Sequence, residues 1–427
     1  MKTINTFLSF VAVSVVAALC LDACSPEKLR YESAYDDSVQ YEFISDDVPA
    51  ELTRAEIDQI NDFNSFAFKT AGYISQAQKT KSFVFSPVSL GCLLGMLSEG
   101  SDAKTQGQVC KALGIPDQQD LNEFSRKMIV RSQRAALGNE SFELANCVVV
   151  SDKVKLLADY RKALKNNYDA EAETKDFYSE NVANYVNEWA AEKTHNRITH
   201  VLDIVLPSLD AVLMNALYFK ATWANQFSKG NTRECHFFGA DNKTRKEMTM
   251  KMESYLRYYK GNDFSSVTLP YGNVSGSENG RISNFSMTIL LPDRGNSVES
   301  MFASIDKAEL YEACSIQNER VGIKLSLPRF EIQTAQHFGD ILADLGVQKI
   351  NLSNMADKTV DAGNNILQVA NITVDEDGSE AAAVSVTSRD AGEIDTSKYI
   401  EFNCDRPFLF VITENTTGAI LFLGCFR

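Results

Sequence analysis

The stretch DEDGSEAAA, residues 375–383, is the part of the chain on which the interpretation of the fold depends. Asp377 and Glu380 stand at capping-box spacing ahead of three alanines, which favours the start of a short exposed helix. Val384 and Val386 then follow at alternating positions, which favours a strand. Local preferences alone therefore favour the helix.

The composition is that of a large folded protein. A chain of 427 residues predicts two or three domains, since one core usually stops growing near ~250–300 residues. The hydrophobic share is 44%, with 25 Phe and 10 Met, which is enough for an extensive core. The net charge of -15 argues against nucleic acid and acidic lipid headgroups as partners.

The N-terminal residues predict export. Residues 1–23 have one early lysine and an apolar run too short to span a membrane, which is typical of a secretory signal peptide. Leu21, Ala23 and Cys24 look like a bacterial lipobox, although Asp22 departs from the usual small residue. We therefore expect lipidation of Cys24, a polar tether over residues 24–55, and a location on the bacterial outer membrane, at its surface or periplasmic face, or outside the cell. This lipid is the only membrane contact expected.

Nothing in the sequence indicates an enzyme, a metal site or a cofactor. No HExxH, GxSxG or CxxC motif occurs, and the four histidines are scattered. The cysteines beyond Cys24 are widely spaced and odd in number, which predicts buried small hydrophobic residues rather than a disulfide framework. They are Cys92, Cys110, Cys147, Cys235, Cys314, Cys404 and Cys425.

Helical patterns dominate the first half of the chain and strands the second. Helices are predicted from residue 57, near 121–134 and over 181–194, and a short strand leads through Ser86 and Pro87 into a buried helix. After residue 210 the segments are apolar, β-branched and bounded by prolines. The chain ends in two predicted strands around a turn at 414–418. This order indicates an α+β fold.

Seven of these segments, in this order, resemble the serpin family over residues 57–427. They are FVFSPVSL (83–90), NALYFKATW (215–223), TLPYG (268–272), MTILLPD (287–293), LSLPRFEI (325–332), DEDGSEAAA (375–383) and FNCDRPFLFVI (402–412). The resemblance implies one serpin domain, here placed at 56–427, with three β-sheets and eight or nine helices. It replaces the expectation of two or three domains.

The resemblance also implies that residues 376–400 form an exposed reactive loop, which a target protease cleaves and which then enters the large sheet as a new central strand. Gly378 tolerates the backbone change that a hinge needs. Small residues alternate on what would be the inner face, whereas Glu380 faces the other way, where a charge is acceptable if that face is solvent. The hinge residues are Glu376, Gly378, Ser379, Glu380, Ala381, Ala382 and Ala383, and the inner face continues with Ser385 and Thr387.

Family spacing, counted from Glu376, places the cleaved bond between Gly392 and Glu393. Such a bond suits an elastase-like, subtilisin-like or papain-like protease. Arg389–Asp390 is the alternative for a trypsin-like protease, but it would shorten the inserted strand by three residues, about 10 Å, so cleavage there is expected to be mostly unproductive. Cleavage at Ile394 or Asp395 is a further alternative, because the loop after the hinge is long.

A second set of residues matches the polar cluster where the strands of the large sheet must part. Ser86, Ser89 and Asn215 match that cluster, and Trp223 matches the tryptophan at the upper opening of the sheet. Their alternative roles are structural: an N-cap serine, a buried turn amide and a core indole. Gln368 stands where many serpins have a histidine, and because an amide cannot become charged, it cannot supply the pH gating that is assigned to that histidine.

The resemblance implies a monomeric suicide inhibitor of serine, or alternatively cysteine, endopeptidases, with no catalytic activity of its own. The second interpretation is a non-inhibitory serpin that acts as a binding or carrier module, or whose loop is merely a protease substrate.

Overall fold

Long helices dominate the first half of the chain and strands the second, as the sequence predicts, although short α-helices also lie among the later strands. The computed structural model describes residues 54–135, 141–178, 181–272, 284–363, 365–379 and 398–427. The α-helices in these ranges are α1 (Arg54–Gln78), α2 (Pro87–Glu99), α3 (Ala103–Leu113), α4 (Gln118–Ala135), α5 (Ala158–Tyr168), α6 (Asn181–Lys193), α7 (Val298–Ser304), α8 (Lys307–Ala313) and α9 (Gly339–Asp344). The strands are β1 (Phe83–Phe85), β2 (Ser141–Ser151), β3 (Ala170–Lys175), β4 (Ala211–Thr222), β5 (Arg233–Phe238), β6 (Thr244–Lys260), β7 (Phe264–Pro270), β8 (Phe285–Pro292), β9 (Arg320–Pro328), β10 (Phe330–His337), β11 (Ile366–Val374), β12 (Gly378–Ser379), β13 (Ile400–Asn403), β14 (Phe408–Glu414) and β15 (Ala419–Phe426).

The main sheet has the strand order β10-β11-β4-β2-β3, with β12 beside β4. β4 and β11 are parallel, whereas β4 and β2 are antiparallel. β4 is buried along almost its whole length, because both faces of this central strand are covered. We refer to this sheet as the main sheet throughout.

The second network of strands has the order β1-β15-β14-β8-β7-β6-β9-β13, with β5 beside β6. The strand β6 is 17 residues long and pairs with different strands along its length. Its residues Thr249–Arg257 pair with β9, and Arg257–Lys260 pair with β7. The two smaller sheets that the resemblance implies are therefore joined into one hydrogen-bonded network by a single long strand.

The main sheet separates two apolar regions. The larger core contains Leu213, Leu217 and Phe219 of β4, together with residues of α1, α2 and the second network. The other face carries Met214 and Ala216, which pack with residues of α6. Successive residues of β4 point to opposite faces, as the alternation of a strand requires.

Local preference gave the wrong structure where the hinge begins. Gly378–Ser379 forms a strand, so no helix starts at Asp377. Tertiary pairing with β4 overrides the capping-box pattern. All the described residues belong to one compact unit. None of the helices in the described ranges combines the length and apolar character needed to cross a membrane.

Candidate functional site: the hinge and the amide row

Four amide side chains lie in a row across the main sheet. Gln336 of β10 is the register partner of Gln368 of β11. Gln368 is in turn the partner of Asn215 of β4, which also pairs with Asn146 of β2. Register partners on neighbouring strands share a face. Asn146, Asn215 and Gln368 are at most 2% exposed. We call these four residues the amide row.

The helix α2 begins beneath the amide row and supplies hydrogen-bond partners to Gln368 and Asn215. Ser86 is the N-cap, its hydroxyl accepts a hydrogen bond from Ser89 N at 3.1 Å, and Pro87 occupies the first helical position. The Gln368 side chain accepts from Ser86 N at 2.8 Å and donates to Ser86 O at 2.9 Å. Asn215 Nδ2 donates to Ser89 O. Neutral hydrogen bonds therefore fasten the start of α2 to the middle of the main sheet.

The hinge leaves β11 through a tight turn. The Asp375 carboxylate accepts hydrogen bonds from Asp377 N at 2.9 Å and Gly378 N at 3.1 Å, and Asp375 N donates to Gly378 O at 2.9 Å. Burial raises the pKa of Asp375, because the carboxylate loses contact with water. Gly378 has φ +153°, and a Cβ there would lie 2.1 Å from Ala221 O. Only glycine allows the backbones to come so close.

The first residues of the hinge already lie in the main sheet. Gly378 pairs with Thr222 and Ser379 with Ala221, in the antiparallel direction. β11 pairs with β4 only towards the other end, over Ile366–Ala370. Two hinge residues thus occupy the place beside β4 that an inserted strand would have to take.

Trp223 covers this end of the main sheet. Its ring stacks on Tyr271, with centroids 4.3 Å apart and planes at 12°. Its Nε1 donates to Asp375 O at 2.8 Å, and its backbone N donates to Asp377 O at 3.0 Å. The Tyr271 hydroxyl is 2.7 Å from Ser379 Oγ, at hydrogen-bonding distance. Trp223 and Tyr271 therefore hold the hinge turn and β12 together.

Two acids of the hinge have cationic partners. The Glu376 side chain is 1% exposed and accepts hydrogen bonds from Arg329 and Thr232. Burial by itself would raise the pKa of Glu376, but these hydrogen bonds outweigh it and lower the pKa below its usual value. Asp377 pairs with Lys229, whose Nζ is 2.8 Å from Asp377 Oδ2, and this contact raises the pKa of Lys229.

The structure brings the predicted residues that it describes into two groups. Ser86, Ser89, Asn215 and Gln368 meet at the amide row, and Trp223 lies at the hinge. Within the described ranges, no three His, Cys, Asp or Glu side chains gather as a metal site would require. The other predicted site residues lie outside the described residues: Cys24, Glu380, Ala381, Ala382, Ala383, Arg389, Asp390, Gly392 and Glu393.

Sequence reasoning missed the residues that hold the hinge from a distance. Arg329 is 47 residues from Glu376 along the chain and Thr232 is 144 residues away, so no local pattern links them. Asn146 could have been noticed, because it is a lone amide in the apolar segment FELANCVVV.

Comparisons with known proteins identify the family. The family model of Serpin (serine protease inhibitor) matches residues 61–427. Iripin-3 of Ixodes ricinus is 28% identical over 361 residues, which cover 81% of this chain and 88% of that protein. The native structure of the thermophilic serpin tengpin superposes with a TM-score of 0.75 at 22% identity, covering 88% of this chain and 94% of tengpin. Human thyroxine-binding globulin, solved in complex with thyroxine, gives a TM-score of 0.74 at 22% identity, covering 87% and 98% of the two chains. The chain therefore belongs to the serpin family.

Proposed function

We propose that this serpin inhibits an endopeptidase by trapping it after the reactive loop has been cut. The nucleophile of the protease attacks the carbonyl carbon of Gly392 and expels the amine of Glu393, which leaves the protease attached to Gly392 as an acyl-enzyme. The hinge then extends into the main sheet as a strand between β11 and β4. The attached protease is carried along β4, and distortion of its active site prevents hydrolysis of the acyl bond.

The observation that carries this proposal is the pairing of Gly378 and Ser379 with β4. Starting a new strand is the step that costs most free energy, because residues must be ordered before hydrogen bonds can offset the lost conformational entropy. A hinge that is already paired at one end can extend by exchanging the β11–β4 hydrogen bonds for its own, one pair after another. The description of the matching family as serine protease inhibitors supports the same function.

The register of the hinge favours Gly392–Glu393 as the productive bond. Continued along the chain, the pairing of Ser379 with Ala221 brings Arg389 opposite Ala211, the residue at which β4 begins. Cleavage after Gly392 would leave three residues, about 10 Å of chain, between the end of the inserted strand and the protease. Cleavage after Arg389 would leave no such link, so it should release the protease more often than it traps it.

The test is incubation of the protein with elastase, subtilisin, trypsin and papain, followed by denaturing mass spectrometry. An inhibitor gives a covalent adduct whose mass places the acyl bond at Gly392, and a released fragment that begins at Glu393. Cleavage by all four proteases without any adduct would contradict inhibition of these protease classes and would favour the substrate interpretation.

The place of action is also a proposal. We infer export and attachment through a lipid on Cys24, because the sequence around it looks like a lipobox. Partition of the full chain into the detergent phase of Triton X-114, and loss of this partition in Cys24→Ala, would support the anchor. Equal partition of both proteins would exclude it.

A second candidate function is the binding of a small molecule, which a separate cavity favours. The cavity has a volume of about 310 Å³ and lies between α1, α8 and the turn from β14 to β15. Its lining combines apolar side chains with amides and hydroxyls, among them Asn64, Leu310, Tyr311 and Thr417. This lining suits an amphipathic ligand with a flat apolar part.

Anilinonaphthalene sulfonate is a suitable probe for this cavity. A carrier should bind the probe in its folded state, Tyr311→Ala should weaken binding, and Tyr178→Ala, at an exposed tyrosine outside the cavity lining, should not. Absence of binding to the folded protein would remove this candidate. Probe binding combined with no adduct to any protease would favour it over inhibition.

A further inference from the structure

Three buried side-chain oxygens at the centre of the main sheet have no hydrogen-bond partner among the described residues. They are Ser89 Oγ, Asn146 Oδ1 and Asn215 Oδ1. Their residues are at most 2% exposed, so contact with bulk water does not take the place of a partner. Buried polar atoms are nearly always paired, either with protein groups or with ordered water. These three oxygens therefore mark a position at which a polar partner is needed.

The orientation of both asparagine side chains is fixed by their nitrogen atoms. Asn146 Nδ2 donates to Tyr168 O at 2.7 Å, and Asn215 Nδ2 donates to Ser89 O. Reversal of either amide would turn its oxygen towards a carbonyl oxygen, and two acceptors form no hydrogen bond. The two Oδ1 atoms are therefore the ends of these amides that need a donor.

The hydroxyl of Ser89 cannot satisfy both amide oxygens. A hydroxyl carries one hydrogen, so it can donate to one of the two at most. A water molecule can donate to both amide oxygens, because it carries two hydrogens, and it can accept from the Ser89 hydroxyl at the same time. It would then make about three hydrogen bonds, which is typical of a buried water. One water molecule thus pairs all three oxygens.

The three oxygens lie on the same side of the main sheet. Asn146 and Asn215 are register partners on β2 and β4, and such partners share a face with their Cβ atoms about 4.5–5.5 Å apart. That face is turned towards α2, because Asn215 bonds to Ser89, the third residue of the helix. A water oxygen about 2.8 Å from each amide oxygen can bridge two side chains at this separation.

An ion suits this position less well than water. The helix α2 begins here, and the positive end of its dipole disfavours a cation. The two amide oxygens carry negative partial charge, which disfavours an anion. All four members of the amide row are neutral. The chemistry of the position therefore favours a small neutral molecule that donates twice and accepts once.

We infer that the amide row holds one buried water molecule, which donates to Asn146 Oδ1 and Asn215 Oδ1 and accepts from the hydroxyl of Ser89. The water extends the attachment of α2 to a further strand. Gln368 of β11 and Asn215 of β4 bond directly to the start of α2. Through the water, Asn146 links β2 to the same point. Three neighbouring strands of the main sheet are then held by one helix end, whether or not the protein is an inhibitor.

The first test is a crystal structure of the protein at a resolution that shows ordered water. We expect density for one water molecule about 2.7–3.0 Å from each of the three oxygens. Direct contact of the Ser89 hydroxyl with an amide oxygen, with no water beside them, would overturn the inference.

A double-mutant cycle tests the link in solution. Ser89 Oγ and Asn146 Oδ1 share no hydrogen bond, so a water that joins them should couple the two side chains. Unfolding in guanidinium chloride is measured for wild type, Ser89→Ala, Asn146→Leu and the double variant. We expect the folded-to-unfolded ratio of the double variant to exceed the value predicted from independent effects by about fivefold, because the second change removes a bond to a water already lost. Asn146→Ala takes the place of Asn146→Leu if the leucine variant does not fold.

The control cycle replaces Ser89→Ala by Thr373→Val. Thr373 Oγ1 is another buried hydroxyl of the main sheet that bonds to no group in the described part of the chain. It lies on the opposite face, because its neighbours Ile372 and Val374 belong to the larger core. Thr373→Val and Asn146→Leu should therefore act independently. Independent effects in both cycles would overturn the link between α2 and β2, and equal coupling in both would overturn it as well, since the coupling would then not depend on the water.

Discussion

Single residues of the hinge should respond to pH in opposite directions. The folded-state pKa of Glu376 lies below its usual value of 4.5, so its ion pair stabilises the fold above that pH and the contribution is lost as the pH falls through the folded-state pKa. The folded-state pKa of Asp375 lies above its usual value of 3.8, so the folded protein holds this proton more tightly than the unfolded chain. Ionisation of Asp375 therefore costs stability as the pH rises from 3.8 through the folded-state pKa.

The variant Glu376→Gln tests the ion pair with Arg329. It should lower the free energy of unfolding at neutral pH by roughly 1–2 kcal/mol, because a buried carboxylate loses charged hydrogen bonds while the partly exposed Arg329 regains water. The difference from wild type should shrink as the pH falls below 4.5. Asp375→Asn is the companion variant and should be at least as stable as wild type at neutral pH. Thermal unfolding across this pH range measures both, and a difference for Glu376→Gln that is independent of pH would show that charge does not hold the hinge.

At the scale of elements, the helix α2 and the strand β12 meet the main sheet in different ways. α2 is bound at its N-terminus through Ser86 and Gln368, which form two neutral hydrogen bonds. β12 is bound through backbone pairing that requires the close approach of Gly378 to Ala221. The first contact depends on side-chain chemistry, whereas the second depends on the absence of a side chain.

Replacement of Gln368 by histidine should introduce a pH response that the wild type lacks at this position. The side chain accepts from Ser86 N, and a protonated imidazole has no acceptor for that donor. The folded-state pKa of the introduced histidine should therefore lie below about 6.5, and the protein should lose stability as the pH falls through this folded-state pKa. Unfolding midpoints of Gln368→His and wild type should diverge between about pH 8 and pH 5. Parallel curves would contradict a direct role of this side chain at the start of α2.

The variant Gly378→Ala should release β12 from β4. Its Cβ would collide with Ala221 O, so the uncleaved protein should lose about 1–3 kcal/mol of stability. The hinge should also insert more slowly, so a larger fraction of protease is released after the cut. The control is Gly107→Ala in α3, where a Cβ meets no atom within 4 Å and helix propensity improves. Chemical unfolding and adduct yield measure the two effects, and equal behaviour of the two variants would refute the role assigned to Gly378.

At the scale of the whole molecule, the proposed loop insertion would change both faces of the main sheet at once. The inner face lies against the larger core, and the outer face is covered by α6 around Met214 and Ala216. In the middle of the sheet the outer face is therefore covered by protein and not by solvent. The condition under which a charge on that face would be acceptable is not met there. A charge there would be buried beneath α6, and burial of an unpaired charge is costly.

If the protein inhibits as proposed, a lysine at position 386 should make it a substrate that is cut but does not trap the protease. In the proposed inserted register, Val386→Lys would bring an ammonium group opposite Met214 in the region covered by α6, which should stop insertion halfway. The protease should cut the loop at the wild-type rate but form no adduct, and the cut should not stabilise the protein. Val386→Ala is the control that keeps the position apolar and should still give an adduct. Undiminished adduct with Val386→Lys would show that the loop does not pass beneath α6 in this register.

The sequence by itself determined the α+β class and part of the elements, in particular those whose start or face depends on neighbouring residues. Ser86 and Pro87 predict the start of α2, and helices followed by strands predict the α+β class, because capping and side-chain alternation depend on neighbouring residues. The number of domains could not be read from length, since one long strand, β6, joins two sheets into a single network.

Only the tertiary structure decided which distant residues meet. The pairing of Glu376 with Arg329, the alignment of four amides on four strands, and the strand rather than helix at Gly378–Ser379 all require the folded main sheet. Such contacts depend on the register between strands that are far apart in the chain. Local sequence fixes which face a side chain takes along its own strand, but the neighbour it finds there is set by the packing of the whole molecule.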